Sequence, residues 1–208
     1  MASVEKFELQ SIRQHLRHIE RETENPSNPD IDRNRASMNY SLHPERGMHS
    51  YDYFKKRMGE LHYQKRDDLK AMCGWVVTLP TDVPKEREED FFLCVYRFLC
   101  DRYGEENCIS CCVHYDESGQ PHLHFYFIPT AESEKHGLKI SAKERLTRAE
   151  LRNFHPDMQR ALRNAGVPGS VNTGITAKQG GNRSVRELKK ERPLDRILAR
   201  QHEYERGR

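Results

Sequence analysis

The chain has 208 residues, enough for one well-buried domain with an appendage and too few for two full domains. Charged residues make up 32% and hydrophobic residues 35%, with a mean hydropathy of -0.96, so a modest core must sit inside a heavily charged surface. No stretch reaches the roughly 20 apolar residues of a membrane helix and the first residues lack the apolar run of a signal peptide, which excludes a membrane span and points to a cytoplasmic protein. The net charge of +3 permits nucleic-acid binding without requiring it.

In chain order, residues 3–9 read as a short strand. Ser11 can then cap a helix with Ile12, Leu16 and Ile19 on one face. At 100° per residue, Gln14, His18 and Arg21 share the opposite, polar face, where His18 and Arg21 can act together. Residues 25–40 are rich in turn formers and read as a loop, ending near a short strand around Met38–Leu42. Residues 51–71 read as a charged helix and 72–80 as a buried strand. Phe91, Val95, Phe98 and Arg102 mark one side of a helix over 86–103, ended by Tyr103 and Gly104.

Residues 107–115 and 121–129 form two strands of a hairpin with a five-residue connection, and Leu138–Ser141 adds a further strand. Thr147 and Glu150 suggest a capping box for a helix carrying Leu151, Phe154, Met158 and Leu162, bent at Pro156. This order predicts an α+β fold, an antiparallel sheet of about five strands flanked by helices. The domain is expected over 1–166. Residues 167–208 are expected to form a flexible glycine-rich connection and a basic, partly helical arm, with nine Lys and Arg against five acids from Arg183 onward.

Six cysteines in a reducing compartment read as free thiols. Cys108 and Cys111 form a C-x-x-C, but three residues apart on a strand they point to opposite faces, and no second pair completes four ligands.

The hairpin carries the chemistry. His122 and His124, two apart on a strand, emerge on one face. If the turn centres on Ser118, His114 stands across from His122 and three imidazoles converge. Three neutral imidazoles are a common shell for a divalent ion with a position left open, and Glu117 or Asp116 can ligate or fix a histidine tautomer.

These residues resemble a known family. The run from His114 through Asp116 and Glu117 to Pro121, His122 and His124 resembles the metal motif of HUH endonucleases. Within that group it is similar to the H-x-D-E-x-x-P-H-x-H form of MobV relaxases, the Pre/Mob plasmid recombination proteins, with one extra residue before the proline. The segment from His18 and Arg21 through Ser27, Asn28, Asp30, Asp32, Arg35, Asn39 and Tyr40 to Leu42 resembles that family's first motif.

The resemblance implies an HUH relaxase fold and strand-specific nicking and rejoining of DNA at a plasmid or mobile-element origin of transfer. It also implies a covalent 5′-phosphate intermediate and a role in conjugative mobilisation. His18 falls at the nucleophile position, with Arg21 and Glu117 as catalytic partners and Tyr40 as the rival nucleophile, ahead of Tyr51 and Tyr53. The implied cofactor is a divalent ion on His114, His122 and His124, manganese or magnesium, with zinc also open. The implied partner is single-stranded origin DNA with an adjoining hairpin, and relaxosome or coupling proteins fit the same role. Arg33, Arg35, Asn39, Tyr40, Lys55, Lys56 and Arg57 are the candidate DNA contacts, through phosphate pairing and base stacking. Two other readings stand beside this one: a metal-dependent hydrolase or oxygenase of another fold, and a non-catalytic DNA-binding repressor derived from a relaxase.

Overall fold

A computed structural model of the chain describes residues 2–23 and 31–171. Its centre is a five-stranded antiparallel sheet in the order β1-β3-β5-β4-β2, formed by β1 (Ala2–Glu8), β2 (Tyr40–Ser41), β3 (Lys70–Thr78), β4 (Cys108–His114) and β5 (His122–Phe127). The expected fold class is the observed one. β5 is the central strand and β4 flanks it, so both pair on each edge, and all seven residues of β4 are buried.

Period-two alternation divides the sheet into two unlike faces. Cys73, Trp75, Val77, Cys111, Val113, Leu123, Phe125 and Phe127 point to one side, under α3 (Glu88–Tyr103) and α5 (Arg148–Asn164). There Trp75 stacks on Phe154 with centroids 3.5 Å apart, and its indole N–H donates to the Tyr103 hydroxyl at 2.9 Å. The other side carries Met72, Tyr126 and Ile109, covered by α1 (Leu9–Ile19) and α2 (Ser50–Gly59) through Ile12, Leu16, Ile19, Phe54 and Met58. The histidines of β4 and β5 open on this second face.

Several elements differ from expectation for local reasons. Helix α1 begins at Leu9 with Glu8 in the cap position, and the Ser11 hydroxyl, already inside the helix, donates to the Glu8 carbonyl. Helix α2 stops at Gly59 rather than continuing to 71. The chain then runs past His62, whose backbone joins a separate two-stranded sheet, β6 (Thr130–Ser133) with β7 (Gly137–Ile140). The four-residue α4 (Ala142–Arg145) follows. Helix α5 runs unbroken through Pro156. Its Thr147 cap accepts from the Glu150 N–H, but the Glu150 carboxylate turns to Arg102 and Tyr103 instead of completing the box.

The domain also continues past residue 166. Val171 is buried and exchanges hydrogen bonds with α5 through Gln159, whose amide donates to the Gly169 carbonyl, so 167–171 pack as part of the domain. The expected basic arm and the Ser27, Asn28 and Asp30 portion of the first motif lie outside the described residues. No helix among the described residues is long and apolar enough to cross a membrane.

Candidate metal centre

Register places the histidines as the hairpin spacing requires. His114 pairs with His122 across β4 and β5, and His124 pairs with Cys112 on one side and Val76 on the other. The three rings stand 4.8 to 5.6 Å apart by centroid. One donor atom from each of His114, His122, His124 and Glu117 falls within 4.8 Å of the others.

Each donor is oriented by the protein. His114 is 1% exposed, and its Nε2–H donates to the Ile19 carbonyl at 2.7 Å, so Nδ1 carries the lone pair, which accepts from Arg21 Nη2 at 3.1 Å and stands 3.8 Å from a Glu117 oxygen. His122 directs Nδ1 to the Gln120 carbonyl at 3.3 Å, freeing Nε2. The Nδ1 of His124 is buried with no hydrogen-bond partner. An orphaned imidazole nitrogen beside two oriented imidazoles and a carboxylate fits a divalent cation. Burial, then the Arg21 charge, pushes the His114 pKa down to about 4, and burial with the neighbouring imidazoles holds His124 well below the ordinary value. Both rings are therefore neutral, as ligation demands.

Arg21 stands behind this cluster, and not where the sequence puts it. Helix α1 ends at Ile19, and Arg21 follows in the left-handed region at φ 56°, off the helical face it was expected to share with His18. Its guanidinium forks onto Asp116, Nε to Oδ2 at 2.8 Å and Nη2 to Oδ1 at 2.7 Å. Nη2 also reaches Glu117 at 2.9 Å and His114 Nδ1 at 3.1 Å. Asp116 is fully buried. Burial alone would raise its pKa, but the Arg21 hydrogen bonds and charge outweigh this and keep it ionised. The hairpin turn is pinned further by the Asp32 N–H to the Asp116 carbonyl at 2.7 Å and the Tyr115 N–H to Asn39 Oδ1 at 2.8 Å. Asp116 and Asp32 were weakly legible in sequence; their role is to hold the turn.

His18 sits on the last turn of α1, half-buried. Its pKa is lowered first by burial and then by Arg21, while Glu117 and Asp116 act on it in the opposite sense. Tyr40 falls elsewhere. It pairs with Val113, whose side chain points under α3, so the phenol lies on the sheet face opposite the histidines, near Tyr115, Glu88 and Glu89. There its hydroxyl is buried without a partner and its pKa is pushed up to about 12, first by burial. Tyr53 donates to the Glu106 carbonyl, and Tyr51 packs against Phe54 between Arg13 and Lys55.

The candidate DNA contacts separate in the same way. Arg33 and Arg35 occupy a short 3-10 segment beside the hairpin turn, with Arg33 exposed. Lys56 is exposed and Lys55 pairs with Asp52. Arg57 is turned inward, 13% exposed and donating twice to Asn107 Oδ1, and Asn39 serves the hairpin, so both have structural partners already. A β-bulge between Cys108 and Ser110 also returns Cys108 to the face of Cys111, contrary to simple alternation. Both thiols are buried in the α3 layer with their pKa values raised by that burial, and neither belongs to the metal cluster.

The antiparallel sheet thus presents three histidines and an acid beside the helix-borne His18. The sequence matches the family model of plasmid recombination enzymes, Mob_Pre, over residues 1–193, and the chain belongs to that family. Among its relatives are plasmid recombination enzymes of Bacillus thuringiensis, 27% identical over 78% of this chain and 37% of that one, and of Streptococcus agalactiae, 27% identical over 91% and 38%. The chain spans less than half the length of these relatives. The Mn-bound crystal structure of the MobM relaxase domain (MOBV; Mob_Pre) with plasmid pMV158 oriT DNA superposes with a TM-score of 0.74 at 25% identity, covering 91% of this chain and 97% of that one.

Proposed function

We propose that this domain nicks and rejoins one DNA strand at the origin of transfer of a plasmid or related element, in support of conjugative mobilisation, with His18 as the nucleophile. The carrying observation is the lock between α1 and the hairpin. Ile19 holds His114 and Arg21 holds Asp116 and Glu117, so the residue on one side of His18 and the residue three beyond it are both bonded into the metal centre. Burial, and then Arg21, lowers the His18 pKa, which favours the neutral, nucleophilic imidazole.

Attack by a His18 ring nitrogen on phosphorus forms a nitrogen–phosphorus bond and breaks the bond to the 3′-oxygen. The leaving oxygen takes a proton from water, and Glu117 accepts the remaining ring proton of His18. The 5′-phosphate stays on the protein, and the reverse attack by the 3′-hydroxyl reseals the strand without an external energy source. A divalent ion on His114, His122 and His124 supplies Lewis-acid polarisation of the scissile phosphate. Manganese is favoured over magnesium by the imidazole donors and by its presence in the MobM domain, with zinc the remaining option. In this reading Arg33, Arg35 and Lys56 supply positive charge to the phosphates of the strand.

The test uses single-stranded oligonucleotides tiled across the DNA flanking the gene, labelled 3′ of the nick, with Mn2+ and a denaturing gel. Wild type and Tyr40→Phe give a shifted covalent band and His18→Ala gives none. A band retained in His18→Ala and lost in Tyr40→Phe overturns the assignment.

A further inference from the structure

Helix α5 carries Arg148, Arg152, Arg160 and Arg163 against two acids, Glu150 and Asp157. Both acids are committed to Arg102 of α3, at 2.6 and 2.9 Å, with Asp157 shared by Arg160. The cations on the other side are left without acids. At 100° per residue, Arg148, Arg152 and Arg163 fall within about 60° of one another, roughly 110° round the helix from the middle of the buried Phe154, Met158 and Leu162 face. All three are exposed, and among the described residues none has a hydrogen-bond or ion-pair partner. Arg148 opens the helix, where the macrodipole disfavours a cation, so the stripe is held against local preference.

Rise along the helix separates Arg148 from Arg152 by about 6 Å and from Arg163 by about 22 Å, a rigid row of guanidinium groups. The row lies on the α3 and α5 side of the sheet, away from the histidines. Between the arginines the surface carries Pro156, Gln159 and the half-buried His155 imidazole, with Leu151 exposed at its edge, and it has no Phe, Tyr or Trp ring to serve as a stacking platform. Single-strand binding surfaces combine cations with stacking platforms, whereas duplex backbone needs only positioned cations.

We infer that the outer face of α5 is a second nucleic-acid surface, docking the phosphate backbone of duplex DNA without reading its sequence, separate from the strand-cleaving face. The inference adds to the proposed function and does not need its chemistry.

The experiment measures binding of the full chain, in EDTA, to a fluorescent 30-base-pair duplex of arbitrary sequence across a salt series. Three proteins are compared: wild type, the triple variant Arg148→Ala, Arg152→Ala, Arg163→Ala, and a control triple of exposed lysines, Lys65→Ala, Lys85→Ala, Lys135→Ala. Loss of three phosphate contacts flattens the slope of log K against log salt by roughly 2 to 3 and weakens binding at least about tenfold at low salt in the arginine variant, with a smaller change in the control. The chain beyond the domain contributes equally to all three and cancels.

An arginine variant with wild-type slope, an equal loss in the control, or a loss seen only with an unstructured single strand each overturns the inference. So would loss of duplex binding matched by loss of an acidic protein domain used as competitor at equal salt sensitivity. Mn2+ binding measured separately reports on the histidine site, so failure of one reading is visible without the other.

Discussion

The Nε2–H of His114 donates to the carbonyl of Ile19 over 2.7 Å, a bond between the hairpin and the last residue of α1. Such terminal carbonyls have no intrahelical partner. Here one fixes the tautomer of a candidate metal ligand and ties it to the residue that follows His18.

Arg21 extends that bond into a clamp, and its removal is expected to cost stability as well as site geometry. Asp116 is fully buried and takes two hydrogen bonds from the guanidinium, so Arg21→Ala leaves a buried carboxylate without its main partner. Breaking such a pair costs about 3 kcal/mol or more. Arg21→Lys, which keeps the charge but lacks the fork, should recover only part of this. Urea unfolding at pH 7 reads the ordering wild type, Lys, Ala. Equal midpoints for all three would show that the clamp contributes nothing.

Metal binding should be visible as stabilisation. An ion that binds only the folded state at a hundredfold excess over Kd adds about 2.7 kcal/mol, equivalent to roughly 2–4 °C of Tm per kcal/mol for a domain of this size. Mn2+ should raise the Tm of wild type and not of His124→Ala, which removes the orphaned ring from the cluster. An equal rise in both would place the ion elsewhere.

Much of this architecture was legible because strand periodicity is strict. The pairing of His114 with His122 and the shared face of His122 and His124 follow from a period of two and a turn centred on Ser118. What escaped depended on tertiary register or backbone detail. Tyr40 shares the first motif with His18, but pairing with Val113 turns it to the face away from the histidines. The left-handed conformation at Arg21, carried by a residue type that seldom adopts it, redirects a side chain that helical periodicity assigns to α1. The bulge at Ile109 shifts Cys108 by one face, and Arg57 turns inward because Asn107 offers it a buried acceptor.

Stability of the metal-free protein should fall as the pH falls below neutrality. His114 has its pKa lowered to about 4, first by burial, and His124 is held well below its ordinary value by burial and its neighbours, whereas each ring in the unfolded chain titrates near 6.5. Between those values the unfolded state binds protons that the folded state refuses, so the unfolding free energy decreases as pH drops from about 6.5 and the His114 contribution is fully lost near 4. For His114 the shift corresponds to on the order of 3 kcal/mol. Urea midpoints at pH 7, 6 and 5 in EDTA should decline, and His114→Asn should decline less steeply; a flat profile would contradict neutral burial of the cluster.

Gly74 provides a test of how the sheet supports the site. It pairs with Tyr126, whose ring lies over it, and a Cβ at position 74 would stand 2.6 Å from the Tyr126 Cδ1 and 3.0 Å from Phe7. The ring cannot yield easily, because Phe7 packs against it at 5.3 Å by centroid and Tyr126 is only 5% exposed. Gly74→Ala therefore overpacks a closed layer, at about 1–3 kcal/mol. The same ring stands 6.1 Å from that of His124, so its displacement should reach the metal centre as weaker Mn2+ binding. The double variant Gly74→Ala, Tyr126→Leu relieves the clash and should restore much of the stability, read as urea midpoint, together with the affinity, read by calorimetry. Restoration of neither would mean that the cost of alanine at 74 arises from something other than Tyr126.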